Sequence, residues 1–467
     1  MTNAATLEKY LLLYLPWLLS LVIQSDPVFS YFVAWLGSFF ILFVTLTGKI
    51  KPLPNDMPVA EQLMRPIFIV QIIFAGYMAC TSIFYFLSII GYEDFHQAPS
   101  YFLVDQDALE LTARCQRYYC LAHAAFVSGI LIFMKYPVKS KYYVEPQTLA
   151  KLTLQVALTA ILVSQVILHL PGLEQFRVQL ASLSFISGTL ALAFAIQLKD
   201  QRKIWICAAL YMVNFYEAFI SGYKEPIIVS VLVLGIFLFP IYKKFVLIVL
   251  LPAALLLFTY LPSYVSNFRS TVWTGEETAQ NGSQEALDAA LNQDEANETN
   301  WGFLTGRLSE VEMFTRYVKS TPDKVDYYKL TLLEQSAMAI IPRIFWPSKP
   351  NTEALTMERV YAAGVANPNS NVSAKPAFVV DAYLSYGPIG IFLYLFAYGA
   401  LAQAISIKAE KLFGGYILGT ALIFTGLFQT FWRGLSLEFL VNIIFWSYVT
   451  MFIIFWILRS KNILKII

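Results

Sequence analysis

Only 14% of the 467 residues are charged. A charge set among apolar neighbours must therefore find a partner or a ligand, because leaving it unpaired there is costly. The stretch Ile341-Pro342-Arg343-Ile344-Phe345-Trp346-Pro347-Ser348-Lys349-Pro350 holds two cations among prolines and aromatics. Its flanking prolines stiffen the backbone around Arg343, whose nearest acid along the chain is Glu334. Lys224 follows Ser221-Gly222-Tyr223 ahead of an apolar run, and Arg433 follows Phe431-Trp432. Arg269, Arg307 and Arg316 complete the set. Guanidinium forks match phosphate oxygens, so these cations are candidates for receiving an anionic ligand. Each also has a local partner to weigh: Glu225 for Lys224, Glu310 for Arg307, Glu438 for Arg433, and Glu312 for Arg316 at the favourable i,i+4 spacing. Asp381, in Phe378-Val379-Val380-Asp381-Ala382-Tyr383, is a carboxylate in an apolar segment. It suits a general base unless an arginine pairs with it.

Other motifs carry less. Asp105-Gln106-Asp107 has the two-carboxylate form that some glycosyltransferases use to hold a metal, but such pairs are common by chance, and no metal is expected. His96 reads as a surface residue, and His123 and His169 as polar packing. Cys80, Cys115, Cys120 and Cys207 show neither metal spacing nor a disulfide framework. No P-loop, HExxH or Gly-x-Ser-x-Gly is present, so ATPase or soluble-type hydrolase chemistry has no support. No cofactor is implied, and nothing points to nucleic acid.

The elements that must position these residues are membrane spans. The chain is 58% hydrophobic with a mean hydropathy of +0.59, which indicates an all-α polytopic membrane protein. Apolar runs place about twelve spans near 10–24, 28–47, 66–90, 118–134, 149–170, 178–197, 204–221, 226–242, 245–262, 388–407, 413–431 and 439–458. The first, from Tyr10, reads as a retained span rather than a cleaved signal peptide. Lys and Arg recur in alternate connections, at Lys49, Lys51 and Arg65, then Lys135, Lys139 and Lys141, and finally Lys408, Lys411 and the tail. By the positive-inside rule both termini are cytoplasmic and residues 263–376 form one large extracytoplasmic loop. The expected organisation is spans one to nine over 1–262, the loop over 263–376, and an interfacial helix with three spans over 377–467. Within the loop, 276–300 has seven acids and no Lys or Arg and is expected to be disordered. Trp301 to Ser320 and Leu330 to Ile341 read as short helices. Gly387-Pro388 is expected to break a helix that would otherwise run through to Ile407.

Over roughly residues 200–440 the chain resembles the bacterial oligosaccharide repeat-unit polymerases, the O-antigen polymerase family. The resemblance rests on Ser221-Gly222-Tyr223-Lys224, on the Ile341 to Pro350 string, and on Asp381-Ala382-Tyr383-Leu384-Ser385-Tyr386-Gly387-Pro388-Ile389-Gly390. It implies a fold similar to the membrane-embedded, metal-independent glycosyltransferases that act on lipid-linked sugars. It implies undecaprenyl-diphosphate-linked oligosaccharides as substrates, polymerised into O-antigen, capsule or exopolysaccharide at the outer face of the bacterial cytoplasmic membrane. A chain-length regulator and a flippase are the implied protein partners. Related ligases use a loop histidine; this loop has none, which favours a polymerase.

On this reading Lys224, Arg269, Arg307, Arg316, Arg343, Lys349 and Arg433 bind the diphosphate and stabilise it as it leaves. Asp381, or else Glu312, accepts the acceptor hydroxyl proton, and Trp301 and Trp346 stack on sugars. The main rival is a transporter or flippase of lipid-linked oligosaccharides. That class favours ionisable groups within the spans, and Glu217 is the principal such residue. A membrane acyltransferase, with His123 or His169 as its reactive group, is the third class.

Overall fold

The computed structural model describes residues 7–97, 102–170, 173–220, 224–272, 278–291, 301–308, 310–369 and 374–467. The protein is all-α. The helices are α1 (Leu7–Val22), α2 (Pro27–Leu46), α3 (Ile69–Ile89), α4 (Gln106–Phe133), α5 (Pro146–Leu168), α6 (Glu174–Gln197), α7 (Gln201–Ile220), α8 (Lys224–Phe245) and α9 (Leu251–Val272). After them come α10 (Ala279–Leu291), α11 (Val311–Ser320), α12 (Thr331–Ile340), α13 (Thr352–Ala362), α14 (Phe378–Leu412), α15 (Ile417–Leu427) and α16 (Leu437–Ser460). Among the described residues eight helices are long and apolar enough to cross a membrane. The expected runs at 10–24 and 413–431 appear as the shorter α1 and α15.

Helices α4 and α14 form the centre. Twenty residues of α4 are buried. A Cβ built on Gly129 would lie 2.1 Å from the Phe396 carbonyl oxygen, and one on Gly399 2.0 Å from that of Phe126. Glycine at both positions lets the two backbones touch, as closely packed membrane helices require. Helix α14 breaks at Tyr386 and Gly387, where Gly387 has φ 61° and ψ −143°, a conformation essentially confined to glycine. The carbonyls of Leu384 and Ser385 beside the break accept hydrogen bonds from the backbone N–H groups of Tyr328 and Lys329. The long connection is thereby stitched onto the bundle, and carbonyls that the break would orphan are satisfied.

Several basic connections meet at one end of the bundle. Lys141 N–H bonds the Lys411 carbonyl, Tyr142–Tyr143 pairs antiparallel with Lys465–Ile466, and Lys51 Nζ donates to the carbonyls of Leu131 and Met134. Away from that end, α11 packs at Tyr118 of α4 and α13 at Asp381 of α14, while Ile340 at the end of α12 lines a groove with Lys408.

Two loop expectations are corrected. Residues 263–272 are not loop but the last turns of α9, because Tyr264, Val265 and Phe268 are buried there. Within 276–300, expected to be disordered, Ala279–Leu291 is helical; Ala286 and Ala290, spaced i,i+4, bury a narrow face against α9. Small alanines make a packing surface that a count of acids hides. Residues 292–300 lie outside the described residues.

Candidate functional site

Three helix ends converge on one buried arginine. Arg359 Nε donates to Asp381 Oδ1 (2.9 Å) and Nη2 to Oδ2 (3.1 Å). Nη1 and Nη2 donate to Glu438 Oε1 and Oε2 at 2.6 and 2.7 Å. The Leu437 N–H adds a bond to Asp381 Oδ2 at 2.7 Å. Arg359 is 2% exposed and both acids are 0%. The helices account for the signs. Asp381 and Glu438 lie in the first turns of α14 and α16, and Arg359 in the last turn of α13, where the peptide dipoles favour exactly-signed partners of each kind: anions at an N-terminus, cations at a C-terminus. Burial acts to lower the Arg359 pKa, but the two carboxylates outweigh it and hold the guanidinium above its ordinary value.

This arrangement corrects one expectation. Asp381 does not face an open site: both its oxygens are taken, so the geometry makes it a positioning residue rather than a free base. Glu438, weighed as a partner for Arg433, pairs with Arg359. Sequence reasoning missed Arg359; its only signal is that it lies one turn after the buried Thr356 on the same helix face.

The remaining candidates divide. Lys349 is buried and donates to the carbonyls of Ala339 (3.2 Å) and Ile341 (2.7 Å), closing the C-terminal end of α12. Burial, then the nearby Arg343, push its pKa down. Its donors are thus spent on backbone, which corrects its assignment to a diphosphate. Arg343 is exposed, with Nη1 on the Lys349 carbonyl (3.1 Å). Arg316 is exposed and pairs with Glu312 at 2.7 Å, as the i,i+4 spacing implies. Arg269 is half-buried in the last turn of α9. Trp301 is 7% exposed with its ring edge-on to Phe95, so it offers no face to a sugar; Trp346 is half-buried. The side chains of Lys224, Arg307 and Arg433 lie outside the described residues. Asp105 caps α4, accepting from the Ala108 N–H (3.1 Å).

A second pair of arginines emerges on α4. Arg114 Nε donates to the Tyr118 hydroxyl (3.0 Å), and Arg117, 5% exposed, donates through Nη1 to Ser30 Oγ (2.8 Å). Among the described residues neither has a carboxylate partner. Arg114, Tyr118, Leu121, Ser128 and Ile132 share one stripe of α4, at spacings of three, four and seven. The lower part of that stripe lines an apolar groove of about 760 Å³ between α1, α4 and α14, together with Tyr14, Trp17, Pro388 and Phe392. Arg114 stands about 10 Å above Leu121 along the helix. Tyr118 bridges them, packed against Tyr383 and Phe314, so α11 lies against this end of α4, with Glu312 and Arg316 on the opposite face of α11 from Phe314. A second groove, of about 460 Å³, flanks the other side of α14 beside Ile340 and Leu440. Cations above an apolar channel suit a lipid with an anionic head.

No curated protein sequence and no solved structure matches the chain. One family model, described as a domain of unknown function (DUF8712), matches residues 15–466. That match spans nearly the whole sequence, and the chain belongs to the DUF8712 family.

Proposed function

We propose that this protein is a membrane glycosyltransferase that polymerises oligosaccharide units carried on a polyprenyl diphosphate, working at the membrane face that bears the 273–376 segment. The observation that carries this reading is the α4 stripe: Arg114, which has no carboxylate partner among the described residues, stands about 10 Å along the helix from Leu121, which lines the 760 Å³ apolar groove. The lipid tail lies in the groove and the diphosphate meets Arg114, joined by Arg343 and by the other candidate cations Lys224, Arg269, Arg307 and Arg433. The acceptor hydroxyl oxygen attacks the anomeric carbon. The bond from that carbon to the diphosphate oxygen breaks, and the diphosphate leaves as an anion held by the arginines. Glu312, a half-exposed carboxylate on α11, takes the hydroxyl proton. Asp381 holds the frame through Arg359. The about twelve spans, the cytoplasmic termini, the bacterial inner-membrane location and the partnership with a chain-length regulator and flippase belong to the same proposal.

The test uses the purified protein in lipid vesicles with a lipid-linked repeat unit, and reads product length on a gel with and without EDTA. A ladder formed in EDTA is expected. Movement of the lipid-linked unit across the vesicle wall with no chain growth would replace the reading with the flippase.

A further inference from the structure

Helices α5, α6 and α7 border an open cavity of about 490 Å³ that the proposed transfer reaction does not use, within the range of small-ligand sites, with its two charged residues, Arg177 and Glu217, exposed at its rim. Its lining includes Arg177, Glu217, Asn214, Gln165 and Gln429. Phe176, next to Arg177, meets the Trp446 ring at 4.8 Å, and Trp446 Nε1 donates to the Ile340 carbonyl at the end of α12 (2.8 Å).

Three observations say that something is meant to enter. First, Arg177 and Glu217 line one cavity, yet among the described residues neither has an ion-pair partner. Second, each stands against its own helix dipole. Arg177 lies in the first turn of α6, at the positive end, and Glu217 in the last turn of α7, at the negative end. Neither helix stabilises the charge it carries. Third, Asn214 is 8% exposed and its Nδ2 has no hydrogen-bond partner among the described residues, although buried amides are nearly always satisfied.

The occupant therefore carries an anion for Arg177 and the Asn214 amide, and a cation for Glu217. The walls also include Ile161, Phe185 and Ile220, and α6 and α7 are themselves apolar enough to span a membrane. The ligand is thus an amphiphile. We propose that this cavity binds the headgroup of a phospholipid bearing both a phosphate and a primary ammonium, the phosphate at Arg177 and the ammonium at Glu217. A purely anionic lipid would leave Glu217 facing a like charge, and a choline head offers no N–H to the carboxylate. The inference does not depend on the glycosyltransferase reading.

The experiment places the protein in nanodiscs of equimolar phosphatidylethanolamine, phosphatidylcholine and phosphatidylglycerol and counts retained lipid by native mass spectrometry. Wild type is expected to retain phosphatidylethanolamine over the other two. Arg177→Gln and Glu217→Gln should each reduce that retention roughly tenfold, the loss of one charge-assisted hydrogen bond. Arg177→Lys should keep much of it, and Lys151→Ala, exposed elsewhere on α5, should change nothing. Glu217→Lys should redirect retention to phosphatidylglycerol, a gain that misfolding cannot imitate. Equal retention of the three lipids by wild type, a wild-type preference for phosphatidylglycerol, or no shift in Glu217→Lys would each overturn the proposal.

Discussion

Asp381 and Glu410 stand near opposite ends of the single helix α14, and each holds a fully buried arginine. Asp381 shares Arg359 with Glu438. Glu410 shares Arg65 with Asp56, at 2.9 and 2.7 Å, while the Arg65 guanidinium lies 3.8 Å from the Tyr136 ring centre. One arginine against two carboxylates thus recurs at both ends of the central helix. Removing one partner from a buried ion cluster costs about 3–5 kcal/mol because the other charges are stranded. Arg359→Met alone should abolish accumulation of monodisperse protein in detergent. Arg359→Met combined with Asp381→Asn and Glu438→Gln should restore much of it, as judged by size-exclusion of a fluorescent fusion. If the single variant accumulates normally, the cluster does not hold these helix ends together.

The arginines of α4 should behave differently. Arg114→Ala removes a half-exposed guanidinium whose one hydrogen-bond partner is a tyrosine, so stability should change little. Polymer formation should fall on the order of 100-fold, the cost of losing a positioned donor to developing charge. Lys349→Ala should show the reverse, a lower melting temperature with activity per folded molecule retained. Activity and unfolding measured on the same preparations separate the two. Comparable activity losses in both variants would mean that the loop cations act diffusely.

The sequence made much of this legible, and the residues show why. The break at Gly387-Pro388, the short helix closed by Pro342 and the Glu312–Arg316 pair are local: each follows from backbone chemistry or i,i+4 spacing, and each stands where expected. Asp381 was legible as a carboxylate needing a partner, but its partner lies on α13 and its neighbour Glu438 on α16. Such long-range pairing leaves no local pattern. Arg114 and Arg117 were hidden for the opposite reason. They lie in a stretch whose charges nearly balance, so it reads as a solvated connection, whereas helix α4 begins at Gln106 and carries both into the bundle. Lys349 resembled a ligand-binding cation because the carbonyls it closes belong to a helix end that only the fold defines.

Acid should act through Asp56. Its hydrogen bonds to Arg65 hold its carboxyl below the ordinary carboxylate range, against a smaller opposing effect of burial. A depressed folded-state pKa contributes stability that is fully present above the unfolded value of about 3.9 and is lost as pH falls through the folded value. Wild-type stability should therefore drop below about pH 4 more steeply than that of Asp56→Asn, which gives up the contribution at every pH. Chemical unfolding in detergent at a series of pH values reads the difference. Parallel curves for the two proteins would show that the ion pair adds nothing.

The proton acceptor remains to be separated from the frame. Asp381 accepts three hydrogen bonds and is fully buried, so Asp381→Asn replaces one accepting oxygen with a donor that faces donors. The expected result is a lower melting temperature, with transfer per folded molecule falling only as the frame loosens. Glu312 is half-exposed and its pair with Arg316 is at the helix surface, where such pairs contribute little stability. Glu312→Gln should leave the unfolding free energy within about 0.5 kcal/mol of wild type and lower transfer 100-fold or more, as loss of a general base typically does. Its pH–rate profile should also lose the limb that reports a carboxylate. Glu312→Asp, which keeps the acid on a shorter arm, should recover part of the rate. If Glu312→Gln transfers normally while a well-folded Asp381→Asn does not, the roles are reversed: Asp381 must then leave Arg359 during the reaction, and the buried cluster would be a resting state that substrate opens.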